Sequence, residues 1–393
     1  MDKKTIKDMD VRNKRVIVRV DFNVPLDNKR GITDDSRIKG ALPTINYLLE
    51  NNAGIILMSH LGRPKGKPKD ELRLKPVAER LSALLGRKVD MALDCVGDET
   101  MKVAAALKPK DILLLENLRF YKEEEANDPG FAKQLASMAE VYINDAFGTC
   151  HRAHASTEGI TKYLPSAAGF LVGKEIEYFE KATRNPDKPY AAILGGAKVS
   201  DKIDVISNLM DKLDIILIGG AMAYTFLKSQ GVEIGNSKLE EDKLDLAGDI
   251  LKQAQSKGLR ICLPSDHIVA DKIESGAKAE TAGKNIPAGK IALDIGPRTI
   301  EEFESALKGA KTVVWNGPLG FFELEPFRQG TKRIAELLAA SKITSIIGGG
   351  DTAAAIHELG LGGRMSHIST GGGASLEYLE GKTLPGIAAL NDR

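Results

Sequence analysis

The sequence contains few cysteines, and those it has are far apart. Only three occur in 393 residues, Cys95, Cys150 and Cys262, and no two of them form a C-x-x-C pair. Disulfide frameworks and structural zinc sites both need grouped cysteines, usually in even number. The sequence therefore argues against both, and it favours a reducing compartment.

The chain also lacks an excess of charge of either sign. It has 55 Lys and Arg residues and 54 Asp and Glu residues, so its formal net charge is +1. Binding to a polyanion is usually supported by a strong positive field over the surface. Nucleic acid and anionic membranes are therefore not predicted as main partners.

Long apolar runs are missing as well. The most apolar stretch, around Asp214 to Ala223, is much shorter than the roughly 20 residues that a spanning helix needs. The N-terminal segment MDKKTIKDMD has no apolar core of the kind found in signal peptides. With 42% hydrophobic and 28% charged residues, we expect a globular, cytoplasmic protein.

What the sequence does contain is a regular alternation of short apolar runs and longer amphipathic stretches. The runs are apolar almost throughout, which is typical of strands buried on both faces of a parallel sheet. Strands are predicted at 15–22, 54–60, 111–120 and 141–147, and then at 190–197, 214–220, 260–266, 312–318, 344–350 and 365–370. Helical patterns such as 74–85 and 331–340 separate most of them. The predicted fold class is α/β, with two Rossmann-like, doubly wound parallel-sheet domains joined by a hinge helix.

The boundary between the two series of strands is visible in the composition. A helical stretch at 172–184 is followed by Asn185-Pro186-Asp187-Lys188-Pro189, whose prolines end the helix and begin a turn. We predict an N-terminal domain over 1–171, an interdomain helix and hinge over 172–189, and a C-terminal domain over 190–379. The tail at 380–393 is expected to pack back on the first domain.

Basic and polar residues follow the strands predicted in the first half. Ligands of open parallel sheets bind beyond the carboxyl ends of the strands. Those ends read Asp21-Phe22-Asn23, His60-Leu61-Gly62-Arg63, Asn117-Leu118-Arg119 and Asn144-Asp145, and His151-Arg152-Ala153-His154 follows the last. A single arginine after a strand is more often a solvated loop residue. Together, however, these side chains predict a site for a small, multiply charged anion, because Arg can hold carboxylate or phosphate with two parallel hydrogen bonds.

The strands of the second half end in glycine clusters. These are Gly195-Gly196-Ala197-Lys198, Gly219-Gly220-Ala221, Asn316-Gly317-Pro318, Gly348-Gly349-Gly350-Asp351 and Gly371-Gly372-Gly373. Glycine turns that lead into helices offer backbone N–H groups and a positive helix end to phosphate. Lys198, Lys202 and Asp351 would add two positive charges and a magnesium ligand. The pattern predicts a nucleotide site.

Standard nucleotide motifs leave a dehydrogenase as the main alternative. Gly381-Lys382-Thr383 resembles the end of a P-loop, but Leu376 stands where its first glycine belongs. Residues 348–353 do match the G-x-G-x-x-A pattern of NAD-binding proteins, yet the next predicted strand ends in Thr370 and not in an acidic ribose partner. A protein that binds ADP without turning it over is a second alternative.

The motifs taken together resemble the phosphoglycerate kinase family, in its bacterial form. The resemblance is carried by VDFNVP (20–25), DSRI (35–38), SHLGRP (59–64), LENLRF (115–120), HRAHAS (151–156), GGAKVSDKI (195–203), WNGPLG (315–320), GGGDT (348–352) and STGGGASLE (369–377). Their order and spacing match the family from about Arg15 to the C-terminus. Phe321, which precedes Phe322-Glu323, is a small departure in a loop.

The resemblance implies reversible phosphoryl transfer between 1,3-bisphosphoglycerate and ADP, giving 3-phosphoglycerate and ATP in glycolysis and gluconeogenesis, with Mg²⁺. It implies catalytic roles for Arg37, Lys198, Lys202, Gly372 and Gly373. It implies phosphoglycerate binding by Asp21, Phe22, Asn23, Arg37, His60, Leu61, Gly62, Arg63, Arg119 and Arg152. Nucleotide binding would fall to Lys202, Asn316, Glu323, Gly349, Gly350, Asp351 and Thr352, with Asp351 also on the metal. The expected partners are these small molecules alone, and the expected state is a monomer.

Overall fold

The computed structural model describes residues 2–393 and divides into two compact units. The first unit runs to Glu177 and includes the tail Thr383–Arg393, and the second unit is Tyr178–Lys382. The helix at Phe170–Thr183, α6, crosses the division. Within residues 2–393, no helix combines the length and apolar character needed to cross a membrane.

The first unit is an α/β domain whose strands alternate with helices. Its elements are β1 (Arg15–Val20), α1 (Ser36–Glu50), β2 (Gly54–Met58), α2 (Lys75–Leu85), β3 (Asp90–Met91), α3 (Asp98–Ala105), β4 (Ile112–Leu114), α4 (Lys122–Glu125), α5 (Pro129–Ala136), β5 (Val141–Asp145), β6 (Ser166–Ala168) and α6 (Phe170–Thr183). The six strands form one sheet in the order β3-β4-β2-β1-β5-β6, and every pairing in it is parallel.

The strands of this sheet form where the apolar runs predicted them. All five residues of β2, Gly54–Met58, are buried, as expected for a strand covered on both faces. The strand predicted at 111–120 is shorter than expected, because it ends at Leu114 and residues 118–120 form a 3-10 turn. The short strands β3 and β6 carry no distinct periodic signal and were not predicted.

The C-terminal tail packs against the first unit. Asn144 Nδ2, in β5, donates to the carbonyl of Gly386 at 2.9 Å, and Lys3 Nζ donates to the carbonyls of Ala388 and Leu390. The tail contains a short helix, α14 (Pro385–Ala388). These bonds place the tail beside β5 and the N-terminal segment of this unit.

The second unit repeats the α/β pattern and adds a small sheet. Its elements are β7 (Tyr190–Leu194), α7 (Ile203–Leu209), β8 (Ile215–Ile218), α8 (Met222–Ser229), α9 (Leu244–Ser256), β9 (Arg260–Cys262), β10 (His267–Ala270), β11 (Glu280–Ala282), β12 (Ile291–Ile295), α10 (Pro297–Leu307), β13 (Thr312–Asn316), α11 (Gln329–Ala340), β14 (Thr344–Gly348), α12 (Gly350–Glu358), β15 (His367–Ile368) and α13 (Gly372–Leu379).

The main sheet of this unit is parallel and has the order β15-β14-β13-β7-β8-β9. The expected fold class, two doubly wound parallel-sheet domains, is therefore confirmed. The sequence did not predict the antiparallel sheet β11-β10-β12. Its strands are three to five residues long and lie among polar and glycine-containing loops, and β11 is partly exposed, so no long apolar run marks them.

Candidate functional site

The chain reverses its direction of winding at the same place in both sheets. In the first unit it builds outward from β1 through β2 and β4, and then returns to the other side of β1 with β5. In the second unit β7 and β13 have the corresponding positions. Such switch points open a crevice at the carboxyl ends of the strands, where ligands of this architecture bind.

Four of the predicted anion-site residues form two hydrogen-bonded pairs near the ends of β1 and β2. Arg37 Nη1, from the first turn of α1, donates to Asp21 Oδ2 at 2.5 Å. Asn23 Oδ1 accepts a hydrogen bond of 2.8 Å from the backbone N–H of Gly62. These contacts link the turn after β1 to α1 and to the turn after β2, so they hold three segments of the predicted site at one edge of the sheet.

The other three predicted arginines differ in burial. Arg119 is 3% exposed, and its Nη1 donates to the carbonyl of Gly62 at 2.9 Å. Its Nη2 is buried and has no hydrogen-bond partner among residues 2–393. Arg152 Nε donates to His151 Nε2 at 3.1 Å. Arg63 is exposed, and it makes no hydrogen bond or ion pair within the described residues.

Phe22 and Leu61 do not present their side chains to a ligand. Both are buried in the apolar core of the first unit, at 0% and 2% exposure. The Phe22 N–H donates to Ser59 Oγ, and the Leu61 N–H donates to Asn117 Oδ1. Their contribution is therefore to position the turns that carry their neighbours.

His60 lies in a strongly positive environment. It is 4% exposed, and burial is the main cause that lowers its pKa well below the ordinary value of 6.5. Arg19, Arg119, Arg37 and Arg152 lower that pKa further by charge repulsion. The imidazole is thus neutral at neutral pH, while four guanidinium groups lie close enough to act on it. This concentration of positive charge is what a small polyanion requires.

The sequence analysis missed one residue of this cluster, Arg19. It lies within β1, is 0% exposed and is among the largest fully buried side chains of the chain. The strand RVIVRV did hold a signal, because a charged residue inside a run buried on both faces must find buried partners. Its partner Ser156, and Glu124, which in turn holds Ser156, come from distant segments, and only the tertiary structure identifies them.

The glycines at the switch point of the second unit serve backbone packing. A Cβ on Gly195 would lie 2.1 Å from the carbonyl oxygen of Pro318, and one on Gly317 would lie 2.2 Å from that of Gly195. Gly220 has φ of +63°, and its Cβ would lie 2.6 Å from the N of Gly196. The interpretation of every cluster as a phosphate loop was therefore too broad, since these three glycines allow neighbouring turns to touch.

Two other glycine clusters do begin helices, and those helices start side by side. Gly349 precedes α12 and Gly371 precedes α13. A Cβ on Gly372 would lie 3.2 Å from the backbone N of Gly350, whereas one on Gly350 would meet no atom within 4 Å. Two positive helix ends with open glycine backbone form a site suited to phosphate groups.

Lys202 and Asn316 form a polar pair at the same edge of the sheet. Lys202 Nζ donates to Asn316 Oδ1 at 2.7 Å. Burial lowers the pKa of Lys202, while the carboxylates of Asp201, Glu380 and Asp351 act in the opposite direction. Asn316 Nδ2 is buried and has no hydrogen-bond partner among residues 2–393. It is therefore a donor available to a bound anion.

The remaining predicted nucleotide residues divide into buried and exposed ones. Thr352 is fully buried, and its Oγ1 accepts a hydrogen bond of 2.7 Å from the N–H of Gly317, so it connects α12 to the turn after β13. Lys198 and Glu323 are exposed and have no hydrogen bond or ion pair to other described residues.

Asp351 is the candidate metal ligand. It is exposed in the first turn of α12, directly after Gly349 and Gly350. Between residues 2 and 393 no group of three or more His, Cys, Asp or Glu side chains could hold a metal ion by itself. A lone carboxylate beside a phosphate site fits Mg²⁺, which protein sites commonly hold by one or two carboxylates together with substrate phosphates and water.

Comparison with known proteins gives one consistent result. The chain matches the family model "Phosphoglycerate kinase" over residues 6–382. Phosphoglycerate kinases of Moorella thermoacetica and of Clostridium botulinum strain Alaska E43 are 58% and 56% identical to it, covering 100% of this chain and 100% and 99% of their own. Solved phosphoglycerate kinases from Coxiella burnetii and Pyrococcus horikoshii superpose with TM-scores of 0.91 and 0.85, at 42% and 33% identity, over 98% of each chain.

Proposed function

Because the chain belongs to the phosphoglycerate kinase family, we propose that the strand-end residues of the first unit bind phosphoglycerate and those of the second bind the nucleotide. The chain is a phosphotransferase with a carboxyl acceptor. It transfers a phosphoryl group between 1,3-bisphosphoglycerate and ADP, giving 3-phosphoglycerate and ATP, and its role is glycolytic.

The observation that supports this division is the chemical difference between the two strand-end surfaces. In the first unit, Arg19, Arg37, Arg119 and Arg152 lie around a neutral His60. Carboxylate and phosphate, the two ends of 3-phosphoglycerate, are the groups that guanidinium binds in bidentate fashion. The second unit instead offers adjacent helix N-termini and a buried, unpartnered amide donor, which suit a chain of phosphates.

We propose that catalysis consists of positioning and charge stabilisation. Phosphoryl transfer needs no covalent intermediate on the protein. Arg37 and Lys202, with Lys198, would neutralise the equatorial oxygens of the transferring group, and the N–H groups of Gly372 and Gly373 would donate to them. Arg37 is half-buried and already oriented by Asp21, so little reorganisation is needed when charge develops.

We propose that Asp351 holds Mg²⁺ together with the nucleotide phosphates. When bound, the ion would neutralise the phosphate charge. The exposed position of Asp351 in the first turn of α12 leaves room for the water and phosphate oxygens that Mg²⁺ retains. Glu323 and Thr352 complete the proposed nucleotide set, Glu323 through a ribose hydroxyl.

In-line transfer requires reacting atoms about 3 to 3.5 Å apart and the exclusion of water, since an acyl phosphate hydrolyses. We therefore propose that residues 172–189, which comprise most of α6 and the turn after it, act as a hinge. We further propose that the chain works as a monomer in the cytoplasm, where its relatives' glycolytic substrates occur.

A coupled assay tests the activity directly. 3-Phosphoglycerate and MgATP are supplied, and reduction of the acyl phosphate by a dehydrogenase is followed through NADH consumption, with heat-denatured protein as control. No activity above that control would overturn the proposal.

The division of substrates needs a binding experiment. By calorimetry, Arg119→Ala is expected to weaken 3-phosphoglycerate binding at least tenfold and to leave MgADP binding within about twofold, since each bidentate anion contact is a strong charge-assisted pair. Asn316→Ala is expected to do the reverse, because it removes the unpartnered donor of the second unit. The opposite pattern would show that the two sites are interchanged.

A further inference from the structure

A series of buried hydrogen bonds connects Glu124 to His60 within the first unit. Glu124 is 0% exposed, and its two oxygens accept from the Oγ–H of Ser156 at 2.5 Å and from the N–H of Ser156 at 3.0 Å. Ser156 Oγ accepts from Arg19 Nε at 2.8 Å. Arg19 Nη1 donates to the carbonyl of Val20 at 2.6 Å, and its Nη2 lies 3.2 Å from His60 Nδ1.

The hydrogen bonds that Arg19 makes have only one possible direction. A guanidinium has five N–H donors and no acceptor, so Arg19 donates both to Ser156 and to His60. Ser156 has one hydroxyl proton, and because its Oγ accepts from Arg19, that proton is free to go to Glu124. The Nδ1 of His60 must then accept, and the ring proton of the neutral imidazole is on Nε2.

The other ring nitrogen of His60, Nε2, has no hydrogen-bond partner in any residue between 2 and 393. The ring sits above β2, in the turn shared with Gly62, whose N–H and carbonyl contact the predicted site residues Asn23 and Arg119. The free Nε2 is therefore the atom through which this residue can bind a ligand.

We propose that Arg19 is a positioning residue that holds His60 in its Nε2–H tautomer. In this tautomer the ring donates from Nε2 to an oxygen of the bound phosphoglycerate. Ser156 and Glu124 hold Arg19 in the position that this requires. The inference rests on the proposed function, because it takes His60 to be part of the phosphoglycerate site. It assigns roles to Glu124 and Ser156, both of which are fully buried.

The surroundings of the ring favour this arrangement. With the proton on Nδ1, two donors would face each other and a buried Arg19 N–H would lose its acceptor, which disfavours that tautomer by about tenfold or more. Burial and the nearby guanidinium groups lower the pKa of His60, so the doubly protonated ring is also excluded at neutral pH. His154, whose Nδ1 lies 3.8 Å from Glu124 Oε1, is neutral too, since burial lowers its pKa to about 3.

The test is a direct measurement of the tautomer. Protein labelled with ¹⁵N in its six histidines is studied by long-range ¹H–¹⁵N correlation at neutral pH, without substrate, and the His60 signals are identified by their loss in His60→Asn. The wild-type protein is expected to show protonated Nε2 and unprotonated Nδ1. A protonated Nδ1 of His60 in the wild-type protein, alone or with a protonated Nε2, would overturn the proposal.

Ser156→Ala tests the support of Arg19, with Thr157→Val as its matched control. Thr157 is the neighbouring buried hydroxyl, but it bonds to the carbonyls of Arg152 and His154 and not to Arg19. In Ser156→Ala we expect a mixture of tautomers and a KM for 3-phosphoglycerate raised about tenfold, with kcat and the KM for ATP changed less than twofold. The control should keep the wild-type tautomer and the wild-type KM.

Each other outcome has a definite meaning. A raised KM in Ser156→Ala with an unchanged tautomer would overturn the proposal, because Ser156 would then act only through packing. An unchanged tautomer and an unchanged KM would overturn it as well. If Ser156→Ala fails to fold, Arg19→Lys replaces it, and a pure Nε2–H tautomer with unchanged KM in that variant would overturn the role of the guanidinium. A wild-type protein that has the expected tautomer but no kinase activity would contradict the proposed function alone.

Discussion

Replacing Gly195 by alanine probes the close approach of two turns at the switch point of the second unit. Gly195 follows β7, and an added Cβ would lie 2.1 Å from the carbonyl oxygen of Pro318 and 2.6 Å from that of Gly317. Real Cβ contacts essentially never fall below 3.0 Å, so one turn must move by about 0.9 Å. The opposing atoms belong to the backbone, and therefore no side chain can rotate away to relieve the contact.

This displacement has two expected costs. Overpacking of a close contact costs about 1 to 3 kcal/mol. The hydrogen bonds Gly195 N–H to Asn316 O and Gly196 N–H to Pro318 O, both 3.0 Å, would also be strained, at about 1 kcal/mol each. We expect the free energy of unfolding to fall by roughly 3 to 5 kcal/mol. Misplacement of Asn316 by about 1 Å is expected to lower kcat/KM for MgATP by up to about 10²-fold.

The measurements are urea denaturation and the coupled assay, with Gly248→Ala as control. Gly248 lies inside α9, and its nearest contact for an added Cβ is Ser229 Cβ at 4.0 Å, so that substitution should stabilise the chain by up to about 1 kcal/mol. Binding of 3-phosphoglycerate to Gly195→Ala should stay within about twofold of wild type. If Gly195→Ala had wild-type stability and wild-type kinetics for ATP, the argument from backbone contact would be refuted.

Three further predictions concern charged groups. Arg37→Ala should lower kcat by a factor of about 10² to 10⁵, with a much smaller loss of 3-phosphoglycerate affinity. Arg37→Lys should not restore the wild-type kcat. An unchanged kcat in steady-state assays of Arg37→Ala would show that Arg37 does not act in the transition state. Asp351→Asn should raise the KM for MgATP and leave calorimetric 3-phosphoglycerate binding intact, and the reverse pattern would contradict the assignment. Burial raises the pKa of Asp145 from 3.8 to about 7 in the folded chain, so its favourable contribution is complete below pH 3.8 and is lost as pH rises through about 7. The complete loss is about 4 kcal/mol, of which about 3 kcal/mol falls between pH 5 and pH 8. Asp145→Asn should remove this part from urea denaturation curves measured at those two pH values, and equal pH dependence in both proteins would contradict the shift.

The sequence by itself determined the α/β class, the positions of the main strands and the chemistry at their ends. Apolar runs such as those of β2 and β13 are buried on both faces, and the local amino-acid composition is enough to predict burial of that kind. Because the carboxyl ends of parallel strands meet at one edge, residues as distant in sequence as Asn23 and Gly62 could be predicted to meet. The family resemblance then supplied the identity of the substrates.

The tertiary structure alone decided which partners the buried polar groups have. Periodicity shows that Arg19 lies in a buried strand, but it carries no information about Ser156, which is 137 residues away. It likewise cannot separate a glycine that allows two turns to touch, such as Gly317, from one that leaves a helix end open, such as Gly350, since both follow a strand. Hydrogen bonds and steric contacts act over a few ångströms between distant segments, so they exist only once the chain has folded.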